Sequence, residues 1–327
     1  LFGANIVPTA ADVAPSGGQL AWTNLFLNWA SRWPNWVKPQ IDHLAGNGIG
    51  ANCIRMIGAQ EGVVNSLFTQ SYHDACMEQM VQYCSSLGVS VFMCTGGTQA
   101  GLVSAIGGGL TPAQLAAIQA TTIRRVGAYD NVIGCDLIQE SQSGNIGNSF
   151  IRPMAQAVRS AVPWMPITCS ASVVNTATGV PAPGPRGEDW LLGISDGPIL
   201  PWFDFISIHC YFRAINATFW DQFFAAAPDY DVIIGEFGRA LSTGPVDPPT
   251  EATRLLQASD FARWLEMGNA PDRRVRGALL WACTDQNTNN NERWGAYSDV
   301  FAARPWVLDV VKRYTGGSVA RANFAFK

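Results

Sequence analysis

Residues 203–238 read FDFISIHCYFRAINATFWDQFFAAAPDYDVIIGEFG. Two short apolar, β-branched runs stand in this stretch, Phe205–Tyr211 and Val232–Glu236, joined by a connection far longer than a hairpin turn requires. The runs are largely apolar on both faces, as parallel strands covered by helices are. The same alternation extends outward in both directions. Further strands are expected near Gly3–Val7, Ala51–Ile57, Ser90–Cys94, Val132–Ile138, Pro166–Ser170 and Ala278–Cys283. Amphipathic helical segments fall at His73–Leu87, Pro112–Ala128, Ser149–Val162 and Glu251–Met267, and a last helix at Pro305–Tyr314. Thr111 precedes Pro112 as an N-cap followed by proline in the first turn.

Eight strands alternating with helices predict an α/β fold, a single (β/α)8 barrel of one domain over residues 1–327 with long loops on its C-terminal face. An open dinucleotide-binding sheet fits less well, because Gly3-Ala4-Asn5 runs on to Pro8 without a GxGxxG turn. Three long connections, Pro8–Trp36, Pro181–Pro201 and Thr284–Asp299, read as insertions.

Charge is scarce. Lys and Arg number 21, Asp and Glu 25, and the formal net charge is −4. No basic surplus exists to neutralise phosphates, which argues against a nucleic-acid partner. No apolar stretch approaches the length of a membrane span. The eight cysteines form no CxxC pair, and with three histidines they offer no zinc-ligand spacing. They are expected to be small buried thiols. No metal or organic cofactor is expected. The chain begins at Leu1 without a signal peptide, which suggests a trimmed or processed chain, and an extracellular or exported location is expected. Oligomeric state is not legible in it.

In such barrels chemistry sits where the strands end. Strand four runs into Asp136-Leu137-Ile138-Gln139-Glu140 and strand seven into Gly235-Glu236. Two facing carboxyls there suit glycosidic cleavage, one attacking the sugar carbon and the other cycling a proton. Each Glu alone would equally suit a helix cap or a salt bridge. Alternation puts His209 and Tyr211 on one face of strand six, to meet a sugar hydroxyl and a carboxylate. Arg55 ends strand two, where it would stabilise a carboxylate. Trp281 on strand eight would floor a sugar ring or pack in the core. Asp285 and Trp294, in the polar connection after strand eight, are candidate sugar contacts, as are Trp190 and Trp202 before strand six. Trp22, Trp29, Trp33 and Trp36 would suit a stacking platform for sugar rings, and for most of them the spacing favours a helix packed on the barrel.

This residue set resembles clan A glycoside hydrolases, and family 5 in particular, over nearly the whole chain. The resemblance rests on Arg55, Gln139-Glu140, His209-Cys210-Tyr211, Glu236 and Trp281. It implies Glu140 as acid/base, Glu236 as nucleophile, retention of anomeric configuration, and a cis peptide between Trp281 and Ala282. Two departures mark a divergent relative. Gln139 stands where the family has Asn, which contacts the sugar 2-hydroxyl. Val91-Phe92-Met93-Cys94-Thr95 lacks the family's strand-three His. The function expected is therefore a retaining hydrolase of a carbohydrate substrate, a polysaccharide or oligosaccharide. The alternatives are a catalytically silent carbohydrate-binding or adhesion protein, and a transglycosylase.

Overall fold

The computed structural model describes residues 1–13, 20–45, 48–96, 99–141, 146–173, 200–211, 217–239, 250–268, 274–285, 295–298 and 300–315. Its strands are β1 (Phe2–Asn5), β2 (Cys53–Ile57), β3 (Ser90–Cys94), β4 (Val132–Asp136), β5 (Ile167–Thr168), β6 (Ala171–Val173), β7 (Phe205–Tyr211), β8 (Asp231–Gly238) and β9 (Val275–Leu280). They form one nine-stranded sheet in the order β5-β4-β3-β2-β1-β9-β8-β7-β6, parallel at each recorded pairing and curled into a half-barrel. The two edge strands, β5 and β6, are consecutive in the chain. β5 falls inside the run expected at Pro166–Ser170 and β6 lies just beyond it, so nine strands appear where eight were expected. Between the two strands the Ser170 N–H is shared between Asp136 Oδ1 at 2.9 Å and the Ile138 carbonyl at 3.3 Å.

Helices cover the outer face where the apolar periodicity placed them, at Gln70–Ser86, Pro112–Val126, Asn148–Ala161, Glu251–Gly268 and Pro305–Thr315. The second opens with a full capping box. Gln114 N–H donates to Thr111 Oγ1, and the Gln114 side chain accepts the Thr111 N–H, which satisfies two otherwise orphaned donors. Trp22, Trp29 and Trp36 on the first long connection are buried, Trp29 donates to Gln79 of the Gln70–Ser86 helix, and Trp33 stacks on Trp29. All eight cysteines are buried and free. No helix among the described residues is long and apolar enough to cross a membrane.

The core has two parts. A large cluster lies between sheet and helices, and a small one of Cys53, Phe92, Phe205, Ile233 and Leu279 plugs the inner face of the sheet. Two residues beyond Cys53 on β2 the inner face turns polar, at Arg55.

The register between β7 and β8 decides what else faces inward. Ile208 pairs with Ile234, but His209 pairs with Glu236, so Gly235 is an extra residue, a β-bulge. Ile233 belongs to the inner plug and Ile234 to the outer core. Strict alternation would then send Glu236 outward beside Ile234. The bulge turns it inward instead, beside His209, and sends Phe237 out against Phe261 of the Glu251–Gly268 helix, ring centroids 5.5 Å apart. Glycine suits the bulge, because a Cβ on Gly235 would stand 2.6 Å from Ser207 Oγ and force that side chain to shift.

Candidate active site

Arg55 is the hub. It is fully buried, with Nη1 donating to Glu236 Oε1 (2.6 Å) and Asn5 Oδ1 (2.9 Å), and Nη2 donating to Asp136 Oδ2 (2.8 Å). Asn5, its register partner on β1, spends its amide on the backbone. Its Nδ2 donates to the carbonyls of Gly235 and Leu280, both at 3.0 Å, and so satisfies a carbonyl at the bulge. The bulge, the guanidinium and the carboxylate of Glu236 are thereby one connected unit.

A second chain of contacts leads from Arg55 to Glu140. Asp136 Oδ1 accepts the Ser170 N–H, and Ser170 Oγ accepts the Glu140 N–H at 3.1 Å. Glu140 sits on the turn after β4 with φ +46°, a left-handed conformation uncommon for a side chain of its kind and characteristic of functional sites. Gln139, beside it, donates from Nε2 to Glu236 Oε1 at 3.0 Å. That oxygen therefore accepts two hydrogen bonds, from Arg55 and Gln139, which fills its in-plane lone pairs.

His209 lies between the two glutamates. Its Nδ1 is 2.8 Å from Glu140 Oε1 and 3.4 Å from Glu236 Oε2. A carboxylate oxygen of each Glu and a ring nitrogen of His209 all lie within 4.8 Å of one another. Burial pushes the imidazole down to about 4; Glu236 and Asp136 oppose that shift and Arg55 adds to it. The ring is thus neutral near pH 7, and Nδ1, facing an acceptor, carries its proton. The arrangement offers a carboxylate held through Oε1 by Arg55 and Gln139, a second carboxyl on a partly exposed turn, and a neutral N–H donor between them.

Trp281 follows β9, half-buried, with its ring 6.1 Å from that of Trp22. Its peptide bond to Ala282 is cis, as the resemblance implied. Tyr211 ends β7 on the His209 face, and its side chain, like Trp190 and Trp294, lies outside the described residues. Asp285 is drawn elsewhere. Both its oxygens are engaged by Arg304, at 2.8 and 2.5 Å, in a buried pair that also takes the Gly295 N–H. Trp202 precedes β7 and so stands at the end of the strands opposite Glu236. Where the family carries its strand-three His, Thr95 donates its N–H to the Asp136 carbonyl at 3.0 Å. Three members of the constellation were not singled out from the sequence: Asn5, Asp136 and Ser170. Polar residues at the ends of apolar runs were the available signal, and their partners are 30 or more positions away.

No protein-family model matches the chain, and no curated protein sequence matches it. Solved structures do. The β-glucuronidase from Ruminococcus gnavus in complex with D-glucuronic acid superposes with a TM-score of 0.56 at 14% identity, over 88% of this chain and 46% of that one. The apo form of that enzyme gives 0.55 at 14% identity over 88% and 46%, and its complex with uronic isofagomine 0.55 at 14% over 88% and 47%. The shared feature is the fold. The chain spans less than half the length of these proteins.

Proposed function

We propose that this chain is a retaining glycoside hydrolase of the clan A type, with Glu236 as nucleophile and Glu140 as acid/base, acting on β-glycosides of an oligosaccharide or polysaccharide. One observation carries the reading: oxygens of Glu140 and Glu236 lie within 4.8 Å of one another, with His209 between them. Two carboxyls facing one another in this way suit double displacement, in which one attacks the sugar directly while the other cycles the proton. The β-linkage is carried over from the β-glucuronidases that share the fold, and the family 5 motif residues Arg55, His209, Glu236 and Trp281 lie at one end of the sheet. A closed (β/α)8 barrel belongs to the same reading. It is supported by the two edge strands being consecutive in the chain, and by the Asp204 N–H before β7 donating to Ile167 O of β5 at 3.0 Å.

The chemistry follows from who holds which oxygen. Glu236 Oε1 is committed to Arg55 and Gln139, so attack on the anomeric carbon falls to Oε2. As that bond forms, the glycosidic C–O bond breaks and Glu140 gives its proton to the departing oxygen. Negative charge has then moved from Glu236 to Glu140. The His209 N–H, in reach of both, donates to whichever carboxylate is anionic in each half-reaction, and the neutral ring takes no proton itself. In the second half Glu140 removes a proton from water, the water oxygen bonds to the anomeric carbon, and Glu236 leaves as carboxylate.

The test is Glu236→Gln against wild type on a glycan panel, with product anomers followed by NMR. Turnover by wild type with β-product first, and a loss of about 10⁴-fold or more in the variant, is expected. Unchanged activity in Glu236→Gln overturns the assignment. Glycan binding by a wild type that turns nothing over would give the silent binding barrel instead.

A further inference from the structure

The same three side chains have the makings of a metal site. We propose that Glu140, His209 and Glu236 bind a first-row divalent transition-metal cation, with Zn²⁺ as the representative, and that the bound ion blocks the carboxylate pair. The binding rests on these residues alone; the inhibition rests on the hydrolase reading.

Donor set and spacing both fit. Two carboxylate oxygens and an imidazole nitrogen are ligands such ions accept, and bonds of about 2.0–2.2 Å at tetrahedral angles place ligand atoms about 3.4 Å apart. His209 Nδ1 stands 2.8 Å from Glu140 Oε1 and 3.4 Å from Glu236 Oε2, and the three atoms fall within 4.8 Å. Arg55 does not compete for the ligand atom, because it holds Glu236 by Oε1 and leaves Oε2 facing His209.

Charge points the same way. With Glu140 and Glu236 ionised, these two and Asp136 oppose a single guanidinium, which leaves two negative charges around a buried ring. A dication brings the cluster to neutrality.

An independent observation lies on the far side of the imidazole. His209 Nε2 and Ser207 Oγ are both buried without a hydrogen-bond partner among the described residues. They flank the space beside Gly235, where a Cβ would stand 2.6 Å from Ser207 Oγ and 3.2 Å from His209 Nε2. Ligation through Nδ1 requires the ring proton to move to Nε2. That N–H would then share the space beside Gly235 with a hydroxyl that could accept it through one water, as the outer N–H of metal-bound histidines is held. The shift thus places a donor beside a buried hydroxyl that has no partner among the described residues.

The experiment titrates Co²⁺ into EDTA-dialysed full chain and reads the visible ligand-field bands of four- or five-coordinate cobalt, followed by displacement with Zn²⁺. Wild type and His43→Gln are expected to show the bands at one equivalent. His209→Gln and Glu140→Gln are expected to bind at least tenfold more weakly, with folding checked by circular dichroism. Glu140, on a turn, serves if the buried His209 variant does not fold. Absence of the bands in wild type, or their persistence in both site variants, overturns the proposal. Zn²⁺ should also raise the apparent KM competitively. Cobalt binding without any glycosidase activity leaves the metal site standing and removes the hydrolase reading, and hydrolysis without cobalt binding does the reverse.

Discussion

His73 and His209 are both fully buried, and each has a carboxylate against Nδ1. Their surroundings differ in one respect. His73 Nε2 accepts the Ala59 N–H at 3.1 Å, its Nδ1 faces Asp74 Oδ1 at 3.0 Å, and that oxygen also takes Gln70 (2.8 Å) and Thr122 (2.7 Å). Burial works to raise the Asp74 carboxyl, but these hydrogen bonds outweigh it and hold the group below its ordinary value. Both nitrogens of His73 are spoken for, and the network ties the chain after β2 to two outer helices. His209 has one nitrogen between two carboxylates and the other unpaired. A saturated polar cluster holds structure; an unsaturated one at the ends of the strands keeps capacity for a ligand.

The contrast breaks or sharpens under four changes. Arg55→Met has the largest effect, because it leaves Glu236 and Asp136 buried without their cation. A loss on the order of 3–5 kcal/mol of stability is expected by urea denaturation, and a wild-type midpoint would show that Arg55 is not the hub.

Acid is next. The folded-state value of His209, about 4, lies below its ordinary 6.5, so the unfolded chain binds the extra proton between those values. The His209 contribution is complete above about pH 6.5 and is lost as pH falls towards 4, amounting to roughly 3 kcal/mol. EDTA-treated wild type should therefore lose more stability than His209→Gln between pH 7 and 4; parallel losses would count against a buried neutral ring.

The two histidines are then exchanged for Gln in separate variants. His209→Gln is expected to lower kcat about 10²-fold with little change in melting temperature. His73→Gln is expected to cost about 1–3 kcal/mol of stability while the folded fraction keeps its kcat within a few-fold. If His73→Gln lowers kcat as much as His209→Gln, the distinction fails.

The smallest change tests the bulge. Gly235→Ala drives a methyl against Ser207 Oγ and is expected to cost about 1–3 kcal/mol. Adding Ser207→Ala should recover part of that in a double-mutant cycle. Additive losses would mean that the bulge, not the contact, bears the strain.

Much of this was legible in the chain. Apolar runs such as Ser90–Cys94 and Phe205–Tyr211 match β3 and β7 residue for residue, because short buried strands need continuous apolar sequence. Glu140, Glu236, His209 and Arg55 stood out as ionisable groups at the ends of such runs. Trp202 and Asp285 did not separate from them in sequence. Which end of a strand an aromatic flanks, and which cation claims a carboxylate, depend on neighbours far along the chain. The short strand β6 was equally hidden, since Ala171–Val173 is defined by its pairing with distant β7.

The sequence by itself determined the alternation of strands and helices and the kinds of groups at the strand ends, since local composition and periodicity suffice for both. Only the tertiary structure decided which way those groups point. By alternation Glu236 follows Ile234 outward to the helices. The register against β7 inserts Gly235 as a bulge, turns Glu236 inward to His209, and lets Asn5 from β1 satisfy a carbonyl there. Side-chain direction in a strand has period two, so a single extra residue reverses it, and pairing with a distant strand sets where that residue falls.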